Sequence, residues 1–184
     1  MTEYSIGEHR FRFAAWTASR AAGRGIKDWS TSTVQKVLEQ TEGLHEIAYD
    51  LKKLPEPKEF DDRHENWCKG IVSKLEEKGI KVSFGRAAKI VNIFLKTLTL
   101  GCDPHGELSA KIAAVHPPID RVLLSALVKN NADERKHWET SDGKLRRWTS
   151  LGFDEYSVIV EGVRKVTKLD DGLWTIERHW KPHD

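Results

Sequence analysis

Apolar side chains along this chain recur at three- and four-residue steps, and no segment shows the two-residue alternation of a half-buried strand. Phe13, Ala14, Trp16, Ala18 and Ala21 set the first period and predict a helix over Phe11 to Ala22, ended by Gly23 and Gly25. Ser30-Thr31-Ser32 offers an N-cap for a helix over Thr33 to Thr41, with Val34, Val37 and Leu38 inward and Gly43 beyond its end. A short helix over Leu44 to Lys53 stops ahead of Pro55 and Pro57, whose segment reads as a surface loop. Asp61 or Asp62 caps the next, which runs to Lys78 with Trp67, Ile71 and Leu75 on one face.

The segment from Phe84 to Lys96 is apolar over most of a helical circumference and predicts a central helix. Ala88, Val91, Leu95 and Leu98 form one stripe, and Ile90, Ile93 and Phe94 fill much of the rest. Gly85, Lys89, Asn92 and Lys96 fall at steps of four, three and four, so they share a narrow polar edge. Leu108 to Val115 reads as a short helix, and Pro118 in a first turn opens another over Ile119 to Lys129. Residues 130–147 are polar and read as irregular. Phe153 to Val166 and Leu173 to Trp180 close the chain as two amphipathic helices, separated by Asp170-Asp171-Gly172. The expected fold is all-α: a single compact domain over residues 1–184, of about eight or nine short helices.

Composition narrows the class. At 184 residues, with 39% apolar and 32% charged positions, the chain has the size and balance of one soluble globular domain. The first ten residues carry no apolar leader core and no run approaches a membrane span, which predicts a cytoplasmic protein without a membrane partner. Cys68 and Cys102 form neither a disulfide framework nor a zinc pattern. Asp61, Asp62, His64 and Glu65 read as helix-start residues, and Pro182 interrupts His179 and His183, so no metal is expected. No phosphate loop, dinucleotide fingerprint or Gly-x-Ser-x-Gly elbow is present, and no cofactor is expected. The net charge of +2 is uneven: residues 1–27 hold five cations against two acids. Lys144-Leu145-Arg146-Arg147 adds a second basic spot, and such spots either meet phosphates or form solvated faces.

Lys89, set among apolar neighbours, has its charged form disfavoured by burial, and a neutral amine is a nucleophile able to form a Schiff base. Asp120 follows 31 residues later behind His116-Pro117-Pro118-Ile119, at the start of a helix whose dipole favours the carboxylate. The same residues also read as a solvated helix edge and a helix-start acid. Trp16 and Arg20, four apart, either bracket a planar ligand or form core and rim. His116 precedes a proline and is extended, lining a cleft with Asp120 or bonding a loop carbonyl. Gly85 in the first turn would let another backbone approach the helix amides. Trp148, Trp174 and Trp180 are expected to pin the last helices to the core.

The lysine in an apolar helix and the Pro-Pro-Ile-Asp helix start, at this separation, resemble the helix-hairpin-helix DNA glycosylase superfamily. The archaeal 8-oxoguanine glycosylase branch is nearest in spacing. The likeness covers residues 83–124. It implies a DNA partner, base flipping, and base excision with or without lyase activity. It also implies Lys89 as the nucleophile on the anomeric carbon and Asp120 as the assisting carboxylate. Ser83 to Ala87 would lie near the hairpin that grips the DNA backbone, making Gly85 and Arg86 DNA contacts. Trp16, Arg20, Asn92 and His116 would belong to the pocket. Where the superfamily carries a Leu-Pro-Gly-x-Gly turn, this chain has Lys81-Val82-Ser83-Phe84-Gly85, with one glycine. The whole chain is also similar to a bacterial protein family through Phe13 to Ala22, Gly85 to Lys96, His116 to Asp120 and Leu173 to Trp180, a likeness that brings no activity with it. The alternative function is a non-enzymatic helical interaction or regulatory protein in which Lys89 and Asp120 form a buried ion pair.

Overall fold

The most apolar helix of the chain becomes the axis of the fold. Helix α4 (Phe84–Thr99) is capped by Ser83, whose hydroxyl accepts from the Arg86 N–H, and most of its residues are buried. Helix α1 (Ile6–Ala22), capped by Ser5, makes the most extensive helix–helix contact in the molecule, along α4. Ala14, Ala15, Ala18 and Ala22 are fully buried there, and their small side chains let the two backbones come close. Helix α2 (Thr31–Glu39) covers α1, and α3 (Phe60–Glu76) packs on another side of α4 through Phe60, Trp67, Ile71 and Leu75.

The computed structural model describes residues 4–103, 105–167 and 172–182. Among them, α5 (Ser109–Ala114), α6 (Arg121–Asn130), α7 (Arg135–Trp138) and α8 (Phe153–Val166) complete the all-α fold. The only β pairing among these residues is an isolated bridge between Glu139 and Leu145. No helix among them is long and apolar enough to cross a membrane.

Several boundaries differ from the periodic reading, each for a local reason. Helix α1 starts at Ile6, earlier than expected, because Ser5 caps it and Gly7 packs against the Tyr49 ring. Residues expected as one helix over Leu44 to Lys53 form two 3-10 turns, His45–Ala48 and Leu51–Lys53, the second capped by Asp50. Leu173–His179 is likewise a 3-10 helix. Pro118 does not occupy a first turn. Two successive prolines hold residues 116–120 extended, and Asp120 is the N-cap of α6. The segment 130–147 is not wholly irregular, since α7 carries the fully buried Trp138. Asp170 and Asp171, expected as a connection, lie outside the described residues.

Gly85 ties the site helix to the segment that precedes α8. Its N–H donates to the Leu151 carbonyl at 3.0 Å, and an added Cβ would sit 2.2 Å from the Trp148 carbonyl oxygen. Backbone cannot yield as a side-chain tip can, so the 148–151 turn must move. Gly85→Ala is therefore expected to destabilise the fold by about 2 kcal/mol, the usual scale of overpacking. Urea denaturation with an unchanged m-value checks this.

Candidate functional site

The polar edge of α4 faces the extended strap 116–120, and two residues one turn apart hold it. Asn92 is fully buried. Its Nδ2 donates to the Pro117 carbonyl at 2.8 Å and to the Tyr156 hydroxyl at 2.9 Å, and its Oδ1 accepts from His64 Nε2 at 2.8 Å. A carbonyl only accepts, so Pro117 fixes the orientation of the amide.

The remaining protons of this network follow from that one assignment. His64 carries its proton on Nε2, leaving Nδ1 to face the Cys68 thiol at 3.7 Å. The Tyr156 hydroxyl accepts from Asn92 and donates to His116 Nδ1 at 3.1 Å. His116 Nε2 then donates to Asp61 Oδ1 at 2.9 Å, and Arg164 lies 2.7 and 2.8 Å from the two Asp61 oxygens. With both imidazoles neutral, every donor in this network meets an acceptor. Burial lowers the pKa of His64 well below the ordinary value, aided by the nearby His116. Burial also lowers His116, against the opposing pull of Asp61. It raises the Cys68 thiol and the Tyr156 hydroxyl well above their usual ranges. The His116 hydrogen bond and the Arg164 guanidinium hold the Asp61 carboxyl well below the usual range.

One turn before Asn92, Lys89 Nζ stands 3.3 Å from Asp120 Oδ2. Their side chains are 9% and 17% exposed, so the pair lies just beneath the surface. Asp120 is fully engaged: Oδ1 accepts the Leu123 N–H at 3.0 Å, and Oδ2 accepts the Trp180 indole N–H at 3.1 Å. The Trp148 ring lies 4.3 Å from the Lys89 ammonium, measured to its centroid. Burial lowers the Lys89 pKa, the Asp120 charge opposes this, and Arg86 pushes it down further. Farther along the edge Lys96 pairs with Glu177, and the Trp180 ring lies 6.0 Å from its ammonium. Beyond them a cavity of about 290 Å³ is lined by Lys96, Ile112, Pro117, Trp174 and Glu177, with His116 at its wall.

Two groups distant in sequence therefore meet, while other expected site residues take different places. Asn92 is a sealed network residue with no exposed surface, not a pocket wall. Gly85 is buried against residues 148–151, which leaves no room for DNA. Arg86 donates to the Ala22 carbonyl at 2.6 Å and to the Arg24 carbonyl, with its guanidinium over Trp148, so it braces the end of α1. Trp16 is half exposed and stacks on Phe13, Arg20 is exposed, and neither bonds to Lys89 or Asp120. His116 is 4% exposed, and its ring nitrogens go to Tyr156 and Asp61.

The periodic reading missed the two tryptophans that cover the pair. Trp148 and Trp180 appeared in it as core pins, because the crowding of indoles was visible and their neighbours were not. Asp61 does lie in the first turn of α3, as a helix-start acid, but it does not cap the helix, and its carboxylate goes to His116 and Arg164 instead. Among the described residues no group of three or more His, Cys, Asp or Glu is placed to hold a metal, and His183 lies outside them.

A pH dependence follows from the neutral imidazoles. Below the ordinary histidine value of 6.5 the unfolded chain binds protons that folded His64 and His116 refuse. Stability is thus expected to fall as pH drops from 7.5 to 5, with a slope of up to about 1.4 kcal/mol per pH unit for each imidazole. Asp61 adds a second loss, because its carboxylate contribution is present above 3.8 and disappears as pH falls through its lower folded value. Urea midpoints across this range check the first limb, and His64→Gln should roughly halve its slope.

No family model, no curated protein and no solved structure matches this chain.

Proposed function

We propose that the chain is a DNA-binding protein of the base-excision glycosylase type, with Lys89 as amine nucleophile and Asp120 as its assisting carboxylate. The observation that carries this reading is the Lys89–Asp120 pair itself: 3.3 Å apart, nearly dry, and still in touch with the surface. Desolvation shifts the lysine toward the neutral amine that attack requires. Asp120 is one hydrogen bond away as the proton acceptor, and its other bonds to Leu123 and Trp180 hold it in place.

In this reading Lys89 passes a proton to Asp120 and its lone pair attacks the sugar carbon that bears the base. The glycosidic bond breaks, and the base leaves with the bonding electrons and takes up the proton held by Asp120. As it gives up that proton, Asp120 regains the negative charge that stabilises the positive charge developing on the sugar. Ring opening of the adduct gives a Schiff base, which water hydrolyses. The cavity beside Lys96, with Trp174 on its wall, offers an apolar recess for an extruded base.

A specific observation also favours the non-enzymatic reading. Asp120 caps α6 and binds Trp180, so it serves the fold whether or not Lys89 reacts. Borohydride reduction separates the two. With a duplex carrying an abasic site, the wild type and Lys96→Ala should leave a covalent protein–DNA band, and folded Lys89→Gln should leave none. Absence of the band from the wild type across abasic and oxidised-base duplexes would remove the lysine chemistry.

A further inference from the structure

Some of the chain's clustered cations are taken up by its own acids and carbonyls. Arg12 pairs with Glu8 at 2.5 Å, Lys144 with Asp142 at 2.6 Å, and Arg146 with Glu155 at 3.6 Å. Arg86 is consumed by main-chain carbonyls. The basic spot at residues 144–147 is thus a weaker surface than its composition suggests, whereas in residues 1–27 Arg10, Arg20, Arg24 and Lys27 stay exposed without an ion pair among the described residues.

The face of α6 also keeps its charge, and there the cations line a groove. Between α6 and residues 178–182 runs an open groove of about 490 Å³ whose polar lining includes Arg121, Ser125, Lys129, Asn130, Arg178 and Lys181. No acid lines it. Arg121, Lys129 and Arg178 are exposed, and among the described residues none of the three has a carboxylate partner within ion-pair distance. Arg121, Ser125 and Lys129 recur every four residues on one face of α6, spanning about 12 Å of helix axis. Like charges kept this close without counter-ions repel one another, a cost that a polyanion removes.

The position of the groove matters as much as its sign. Arg121 directly follows the Asp120 cap, and Arg178 flanks Trp180, whose indole donates to that carboxylate. The groove is therefore built on the same elements, the start of α6 and the C-terminal segment, that hold the Lys89–Asp120 pair.

We propose that this α6–C-terminal groove binds the phosphate backbone of a DNA strand, with Arg121, Lys129 and Arg178 as the phosphate contacts. Its assignment to DNA rests on the reading of the Lys89–Asp120 pair above, whereas its affinity for a polyanion rests on charge alone. A strand seated there would pass beside the Lys89–Asp120 pair, and the exposed Trp180, between the groove residues His179 and Lys181 in sequence, offers a face on which a base can stack. An acidic polypeptide is the competing occupant. A regular row of cations with neutral donors between them matches the repeating charge of a nucleic acid better.

The test uses the full chain and a short duplex carrying a reduced abasic-site analogue, which has no aldehyde and cannot form a Schiff base. Binding is measured against salt concentration. The wild type should bind with a steep salt slope. The triple variant Arg121→Gln, Lys129→Gln, Arg178→Gln should lower that slope by about 0.9 for each cation removed and weaken binding to all sequences alike. Lys36→Gln on α2, which packs on α1 and α3, should change the slope by much less. An unchanged slope in the folded triple variant, no binding by the wild type, or equally tight binding of polyglutamate would overturn the proposal. Binding that depends on the groove without a borohydride band would refute the lysine chemistry and leave the groove standing. A band that the triple variant traps as efficiently as the wild type, with unchanged salt slope, would do the reverse.

Discussion

The hydrogen bond from Asn92 to the Pro117 carbonyl is the constraint on which the site depends. A strap of two successive prolines cannot join a helix and offers few donors, so something else must bind its carbonyls. The Asn92 amide does this from the middle of α4, and the strap delivers Asp120 one turn away from it, opposite Lys89. The geometry of the pair thus follows from a neutral hydrogen bond elsewhere. Losing that amide would leave the Pro117 carbonyl, the Tyr156 hydroxyl and the His64 N–H short of partners, each at a cost of about 1–3 kcal/mol. The mutual attraction of Lys89 and Asp120, offset by desolvation, is too small a term to position the strap alone.

The polar interior is divided by charge. Its inner part, from Cys68 through His64, Asn92 and Tyr156 to His116, is satisfied with every group neutral. Charge begins only at the rim, with Asp61 and Arg164 on one side and Lys89 and Asp120 on the other. Ionising a fully buried imidazole costs far more than keeping a hydrogen-bonded neutral ring. That division explains why the strap stays in place at neutral pH while the lysine remains the adjustable group. It also gives the two histidines a structural task, which accounts for burying so many polar atoms in so small a molecule.

What the sequence discloses and what it conceals divide along physical lines. The apolar stripes of α3 and α4 were readable because a 3.6-residue period needs no tertiary information. In α1, by contrast, Phe13 and Trp16 share the helical pattern but stand exposed, and the buried face runs through Phe11, Ala14, Ala15, Ala18 and Ala22. Gly85, Lys89, Asn92 and Lys96 were readable as one edge by the same period. The period could not say which members of that edge meet solvent. Asn92 turned out sealed and Lys89 nearly so, because the strap and the 148–151 turn cover them. Periodicity also could not separate short 3-10 turns from α-helix over 45–53 or 173–179, where one or two turns are too few to distinguish three residues per turn from 3.6. The covering of Lys89 by Trp148 and the bond from Trp180 to Asp120 cross 59 and 60 residues, and no local pattern encodes them.

The inward turning of Gly85 and Arg86 carries a consequence for how this molecule can meet a large partner. A glycine at a helix start invites an approaching backbone, and here the approaching backbone is the chain's own, at Trp148 and Leu151. The N-terminal turn of α4 is therefore spent on internal contacts, and its arginine binds the end of α1 instead of a phosphate. Whatever reaches Lys89 must come past the other end of the pair, where Asp120, Trp180 and the start of α6 stand at the surface. Arg121, Lys129 and Arg178, exposed and without a carboxylate partner among the described residues, lie along that approach. Exposed cations held beside one nearly dry amine add a positive potential at that entrance, where a polyanion would meet the pair first.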